Sequence, residues 1–206
     1  MEGPAYSPRL DEALALAAEA FRDKYRKGTT IPYLTHLLAV CALVGEQGGS
    51  EDQLIAALLH DYLEDIEGAD RQHLEERFGP RVADWVEALS DWTGPGPKGP
   101  WTERKVRYLE RLAAKPPAVK LLSAADKVHN CRSLVADLQA RGPAVFERFT
   151  GGRDGTLWYY RALVETLGRG FAHPLVTELE SLARQLHDLA REPWGPPYPP
   201  PTPATA

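Results

Sequence analysis

Apolar residues recur along this chain at three- and four-residue intervals, and the segments with that period are divided by glycine and proline. Residues 8–25, rich in alanine and leucine, predict a first amphipathic helix. Residues 26–30 are polar, contain Gly28 and predict a loop. Pro32 suits the first turn of a second helix, where its missing N–H costs nothing. That helix is expected to run to Glu46 and stop at Gly48-Gly49. Ser50 with Gln53 reads as a capping box for a third helix over 51–66, stopped by Gly68. Further helices are expected at 70–78, 81–91, 101–114, 117–140, 153–169 and 173–190. The stretch 94–100, in which Gly and Pro alternate, must be a loop, and Pro143 opens a short turn. No period-2 run is flanked by turn signals, so the expected fold class is all-α, a bundle of about 8–10 helices without a sheet. We read 1–190 as one domain and 191–206 as a proline-rich, disordered tail, which serves as an untethered terminus or as a ligand for an aromatic groove.

Composition narrows the function classes. The 206 residues are 43% hydrophobic and 26% charged, ordinary for a globular chain with a sizeable core. A net charge of -5 disfavours a nucleic-acid polymer as partner, which calls for a basic surface, yet permits a small anionic substrate beside a cation. Cys41 and Cys131 sit in apolar helical stretches and read as core residues. The absence of a signal-like start and of any membrane-length apolar run leads us to expect a cytoplasmic protein without a membrane partner; a homo-oligomer is compatible with all of this.

The candidate chemistry lies in 54–66. Read as one helix, this stretch turns Ile55, Leu58, Leu59, Tyr62 and Ile66 to an apolar face. His60 and Glu64 are four apart, as are Asp61 and Asp65, so one imidazole and three carboxylates share a patch. Residues 54–70 contain no lysine or arginine to neutralise them, and crowded carboxylates repel unless a cation intervenes. A divalent metal is the economical explanation. His36 is the only acidic, basic or imidazole side chain between Lys27 and Glu46, and Asp126 lies in a nearly apolar helix, where an unpaired acid is costly. Asp126 alternatively pairs with Lys105 or Arg107. Two imidazoles and two carboxylates suit Mn²⁺, Fe²⁺ or Zn²⁺.

The order His36 … His60-Asp61 … Asp126 resembles the HD superfamily of metal-dependent phosphohydrolases. The strings Pro32-Tyr33-Leu34-Thr35-His36, Ala56 to Asp65, and Ala125-Asp126-Lys127-Val128-His129-Asn130-Cys131-Arg132 are similar to the hydrolase domain of the Rel/Spo alarmone family, above all its small stand-alone members. The resemblance implies a Mn²⁺-dependent helical bundle that removes pyrophosphate from the 3′ position of ppGpp-type nucleotides. It implies His36, His60, Asp61 and Asp126 as ligands, Glu64 and Asp65 as activators of the attacking water, and Arg26 and Asn130 as substrate contacts, with Lys27 and Lys127 beside them. With no synthetase segment following, degradation alone is expected. Leu37 stands where the family usually has proline, and Thr30-Ile31-Pro32-Tyr33 replaces Gly-x-Pro-Tyr.

Lys105 and Arg107 follow the Gly/Pro loop and either neutralise the leaving pyrophosphate or line a solvated helix face. Trp158, Tyr159 and Tyr160 either stack on a purine or pack the core, and His129 either supports the metal site or packs. Two other functions stay open. One is an HD nucleotidase or phosphodiesterase for another small phosphorylated substrate. The other is a non-catalytic nucleotide-binding module, for which the Glu64-Asp65 pair would be superfluous.

Overall fold

The structure, a computed structural model, describes residues 6–92 and 96–195. The chain divides into two compact units, Met1–Thr93 and Gly94–Ala206.

The first unit begins with α1 (Pro8–Ala20), where Ser7 accepts a hydrogen bond from the Arg9 N–H and Pro8 takes the first turn. The helix ends five residues earlier than its composition predicts. Phe21 caps it, and the chain doubles back: the Tyr33 N–H donates to the Lys24 carbonyl (2.9 Å) and the Arg26 N–H to that of Ile31 (2.8 Å), around Gly28 at φ 69°. These hairpin bonds take over backbone groups that a further helical turn would have used. Helix α2 (Leu34–Glu46) follows. Ser50 and Gln53 form the expected capping box at the start of α3 (Glu51–Leu59). Its Ile55, Ala56, Ala57, Leu58 and Leu59 are fully buried, with α1, α2 and α6 packed around them. Each of the larger three contributes about 1.5–3 kcal/mol by leaving water. Arg9 and Arg81 grip Asp52 in the first turn of α3.

The helix expected over 51–66 is broken. After Leu59 the chain turns at His60-Asp61 and resumes as the short α4 (Tyr62–Asp65). Helices α5 (Arg71–Phe78) and α6 (Pro80–Leu89) complete the unit.

The second unit comprises α7 (Trp101–Ala113), α8 (Pro117–Arg141), a 3₁₀ turn (Pro143–Arg148), α9 (Gly152–Gly168) and α10 (Pro174–Leu189). Helices α8 and α9 pack against α10, and α7 against α9. The Trp101 ring lies so close to Gly151 that a Cβ there would meet it at 2.8 Å. Trp101, Trp158 and Tyr159 form an edge-on aromatic cluster, and Trp158, Tyr159 and Tyr160 are buried.

Within the described residues there is no strand, only an isolated bridge between Tyr25 and Pro32. No described helix is long and apolar enough to cross a membrane. Cys131 is buried and Cys41 half-buried, and burial pushes the Cys41 thiol up to about 11. At the start of the proline-rich stretch, Trp194 packs edge-on against His187 (4.9 Å), with the Arg161 and Arg184 guanidiniums over its ring. The expectation for 196–206 lies outside the described residues.

Candidate metal centre

Two successive residues of a regular helix point about 100° apart and do not meet on one ligand. The break after α3 removes that restriction. His60 keeps helical dihedrals, but Asp61 has ψ 3° in place of the helical value near −42°. Asp61 Oδ2 then lies 2.9 Å from His60 Nε2 and 3.7 Å from His36 Nε2, and the two Nε2 atoms are 3.2 Å apart. His36 comes from the first turn of α2, fully buried, with its ring edge-on to that of His60.

This triangle fits a cation. Metal–nitrogen bonds of about 2.1 Å place neighbouring ligand atoms about 3.0 Å apart in an octahedron and about 3.4 Å in a tetrahedron, and the three edges bracket those values. Tautomer chemistry agrees. His60 Nδ1 lies 2.8 Å from the Ala57 carbonyl, a pure acceptor, which fixes the proton on Nδ1. In the neutral ring, the Nε2 lone pair then faces the His36 nitrogen and a carboxylate, and a cation or a shared proton must reconcile them.

Asp61 is held from outside the triangle as well. The Tyr33 hydroxyl donates to its Oδ2 at 2.7 Å. Burial, then the Asp61 and Asp65 carboxylates, push the Tyr33 phenol well above its ordinary value, so it stays a donor. Phe21 stacks on the Tyr33 ring (5.3 Å), and the Arg26 guanidinium sits over it at 5.5 Å.

On α4, Glu64 Oε2 accepts from the Asp91 N–H (3.1 Å), and the Asp65 N–H donates to the Asp61 carbonyl. The break therefore puts both acids on a separate short helix rather than one turn further along α3. Lys27 is exposed on the hairpin.

In the second unit, α8 runs without interruption through Asp126, Lys127 and Asn130. Asp126 is buried, ion-paired to Lys127, and accepts from the Asn130 amide at 2.5 Å. Burial alone would lower the Lys127 pKa, but the Asp126 charge and hydrogen bond, with Tyr159 and Tyr108 beside them, together outweigh it and hold the ammonium well above its usual value. The Lys105 ammonium lies over the Tyr159 ring (5.1 Å), while Arg107 is exposed. Sequence reasoning overlooked two contributors. Tyr33 stood inside the Pro-Tyr-x-x-His string and could have been flagged there; the Asp91 backbone carries no sequence signal.

An all-helical arrangement with a histidine–histidine–aspartate triangle at a helix break describes a class of metal-site proteins. The chain belongs to the HD domain family, whose match covers residues 13–157. Among curated relatives, guanosine-3′,5′-bis(diphosphate) 3′-pyrophosphohydrolase of Aquifex aeolicus is 34% identical over 64% of this chain, which spans 18% of that relative's length. The bifunctional (p)ppGpp synthase/hydrolase SpoT of Escherichia coli is 31% identical over 84% of this chain, again only 23% of its own length. The MESH1 guanosine-3′,5′-bis(diphosphate) 3′-pyrophosphohydrolase of Drosophila melanogaster is 31% identical, covering 87% of this chain and 95% of its own. A solved structure of a metazoan ortholog of SpoT, described as hydrolysing ppGpp, superposes with a TM-score of 0.73 at 30% identity, over 89% of this chain and 98% of that one.

Proposed function

We propose that this chain is a divalent-metal phosphohydrolase of small phosphorylated nucleotides, specifically a guanosine-3′,5′-bis(diphosphate) 3′-pyrophosphohydrolase converting ppGpp to GDP and pyrophosphate. The donor triangle of His36, His60 and Asp61, with Glu64 and Asp65 on the next helix, carries this reading. The names of the near-full-length Drosophila relative and of the metazoan SpoT ortholog support the substrate. We assign Asp126 as the fourth ligand on the Rel/Spo resemblance, and Mn²⁺ as the cation, in a cytoplasmic protein. Because the family match runs from 13 to 157, we take the two units as one HD domain.

A bound divalent cation lowers the pKa of a water and polarises a phosphate oxygen. The remaining work falls to the chain. Glu64, oriented by the Asp91 N–H, accepts the proton of the attacking water, and Asp65 shares that proton. Oxygen adds to the phosphorus next to the 3′-oxygen, and the phosphorus–3′-oxygen bond breaks. The proton passes to that oxygen, leaving GDP. Arg26, Lys27, Lys127 and Asn130 bind the nucleotide, and Lys105 and Arg107 offset charge on pyrophosphate.

The test is a metal analysis of the purified protein with a substrate panel of ppGpp, nucleoside monophosphates and cyclic nucleotides in Mn²⁺. Pyrophosphate release from ppGpp alone is expected. Turnover of monophosphates or cyclic nucleotides instead would assign a different HD phosphohydrolase. Binding of nucleotide with no turnover would leave a binding module.

A further inference from the structure

We propose that Tyr33 is the positioning residue of the centre: through its hydroxyl it fixes the aspartate of the donor triangle, and through its ring it seats the arginine assigned to substrate. The role rests on the metal reading above, but not on the choice of nucleotide.

Four contacts converge on this side chain. Its hydroxyl donates to Asp61 Oδ2 at 2.7 Å. Its ring lies nearly parallel to Phe21 (14°), meets His36 edge-on at 5.5 Å, and carries the Arg26 guanidinium at 5.5 Å. Its backbone N–H is tied to Lys24, which fixes the hairpin that bears Arg26 and Lys27. Asp61 sits on the helix break and lacks the rotational restraint that a regular helix places on a side chain. A carboxylate oxygen has two lone pairs. With one taken by the phenol, the other is left for a cation, and the oxygen is held 2.9 Å from His60 Nε2 and 3.7 Å from His36 Nε2. The same ring presents its face to a guanidinium, which links substrate placement to ligand placement through one rigid group.

The experiment separates hydroxyl from ring. Tyr33→Phe keeps the stack and removes the donor. Mn²⁺ binding to the chelator-treated protein, followed by the free-ion electron paramagnetic resonance signal, should weaken about 10- to 100-fold. Thermal unfolding without metal should be unchanged, and KM for ppGpp should hold while kcat falls. Tyr33→Ala should raise KM as well, because Arg26 loses its seat. In an Asp61→Ala background, Tyr33→Phe should cost no further Mn²⁺ affinity, since the hydroxyl acts through Asp61. Wild-type Mn²⁺ affinity in Tyr33→Phe, or an equal loss in the Asp61→Ala background, overturns the role. Wild-type protein that binds Mn²⁺ but releases no pyrophosphate overturns the nucleotide assignment alone; one without Mn²⁺ affinity overturns both.

Discussion

Two helical stretches carry the candidate chemistry, and they do so in opposite ways. The first unit interrupts its helix at the candidate residues: α3 stops at Leu59, and His60 and Asp61 occupy the turn before α4. The second unit drives its longest helix, α8, straight through Asp126, Lys127 and Asn130. An intact helix offers pairs three or four residues apart, and Asp126 with Asn130 uses that spacing directly. It cannot bring adjacent side chains onto one point. The adjacent pair His60-Asp61, with Oδ2 and Nε2 2.9 Å apart, needs the break. A broken helix thus builds the denser donor set, at the cost of requiring outside support: the Ala57 carbonyl for His60, Tyr33 for Asp61, and the Asp91 N–H for Glu64.

The severest way to test the broken corner is to remove an atom of its triangle. His60→Ala should lose the cation and with it the activated water. Pyrophosphate release should fall by about 10⁴-fold or more, since charge stabilisation and base catalysis depart together. Steady-state kinetics with metal analysis decide this; a His60→Ala enzyme that keeps its metal and most of its rate would show that the triangle is not the centre.

A smaller loss is expected one step away. Glu64→Gln keeps the Asp91 N–H bond but not the basicity, and Asp65→Ala removes the partner acid. Each should keep stoichiometric metal and lower kcat by about 10²–10³-fold. Loss of metal in either variant would move that residue from proton handling into ligation.

This contrast also marks what could be read from the residues. The helices of the second unit follow from periodicity, and Trp101, Pro117 and Pro174 begin helices close to where the pattern puts them. The Ser50-Gln53 box was equally legible, being a local bond between neighbours. The break was not. Leu58 to Asp65 keeps a helical period with no Gly or Pro, and the side chain at its break, Asp61, is held by Tyr33, 28 positions earlier. Past the early end of α1 the chain is likewise tied to Tyr33, whose N–H donates to the Lys24 carbonyl. Hydrogen bonds between distant positions leave no trace in a local pattern, so candidate residues could be picked from the chain, but not the geometry that gathers His36, His60 and Asp61.

On the continuous helix the same kind of cut should do less. Asn130→Ala removes the amide at Asp126 Oδ1 without disturbing α8, because position 130 is half-buried and alanine is the better helix former. Lys127 remains as a partner for the carboxylate. We expect about a 10- to 100-fold loss in kcat/KM for ppGpp and unaltered helix content by circular dichroism. A loss as large as that of His60→Ala would erase the distinction between the two regions.

The mildest effect concerns how α3 is fastened at the end away from its break. Asp52 is buried in the first turn, accepts from Arg81 Nε at 2.7 Å, and pairs with Arg9 at 2.9 Å. Burial pushes its carboxyl up, but the two guanidiniums together hold it below the usual carboxylate range. A depressed folded-state pKa stabilises the protein above the unfolded carboxylate value and loses that contribution as pH falls through the lower one. Stability should therefore decline below about pH 4 partly on account of Asp52. Asp52→Asn should cost about 1 kcal/mol at neutral pH, at the low end for a charged hydrogen bond because the Arg81 side chain is 68% exposed. The variant should also show a shallower decline in acid. Denaturant melts at pH 7 and pH 3 measure both. If the acid decline of Asp52→Asn matches wild type, the start of α3 is held by its capping box and packing without help from charge, and only its broken end depends on charge.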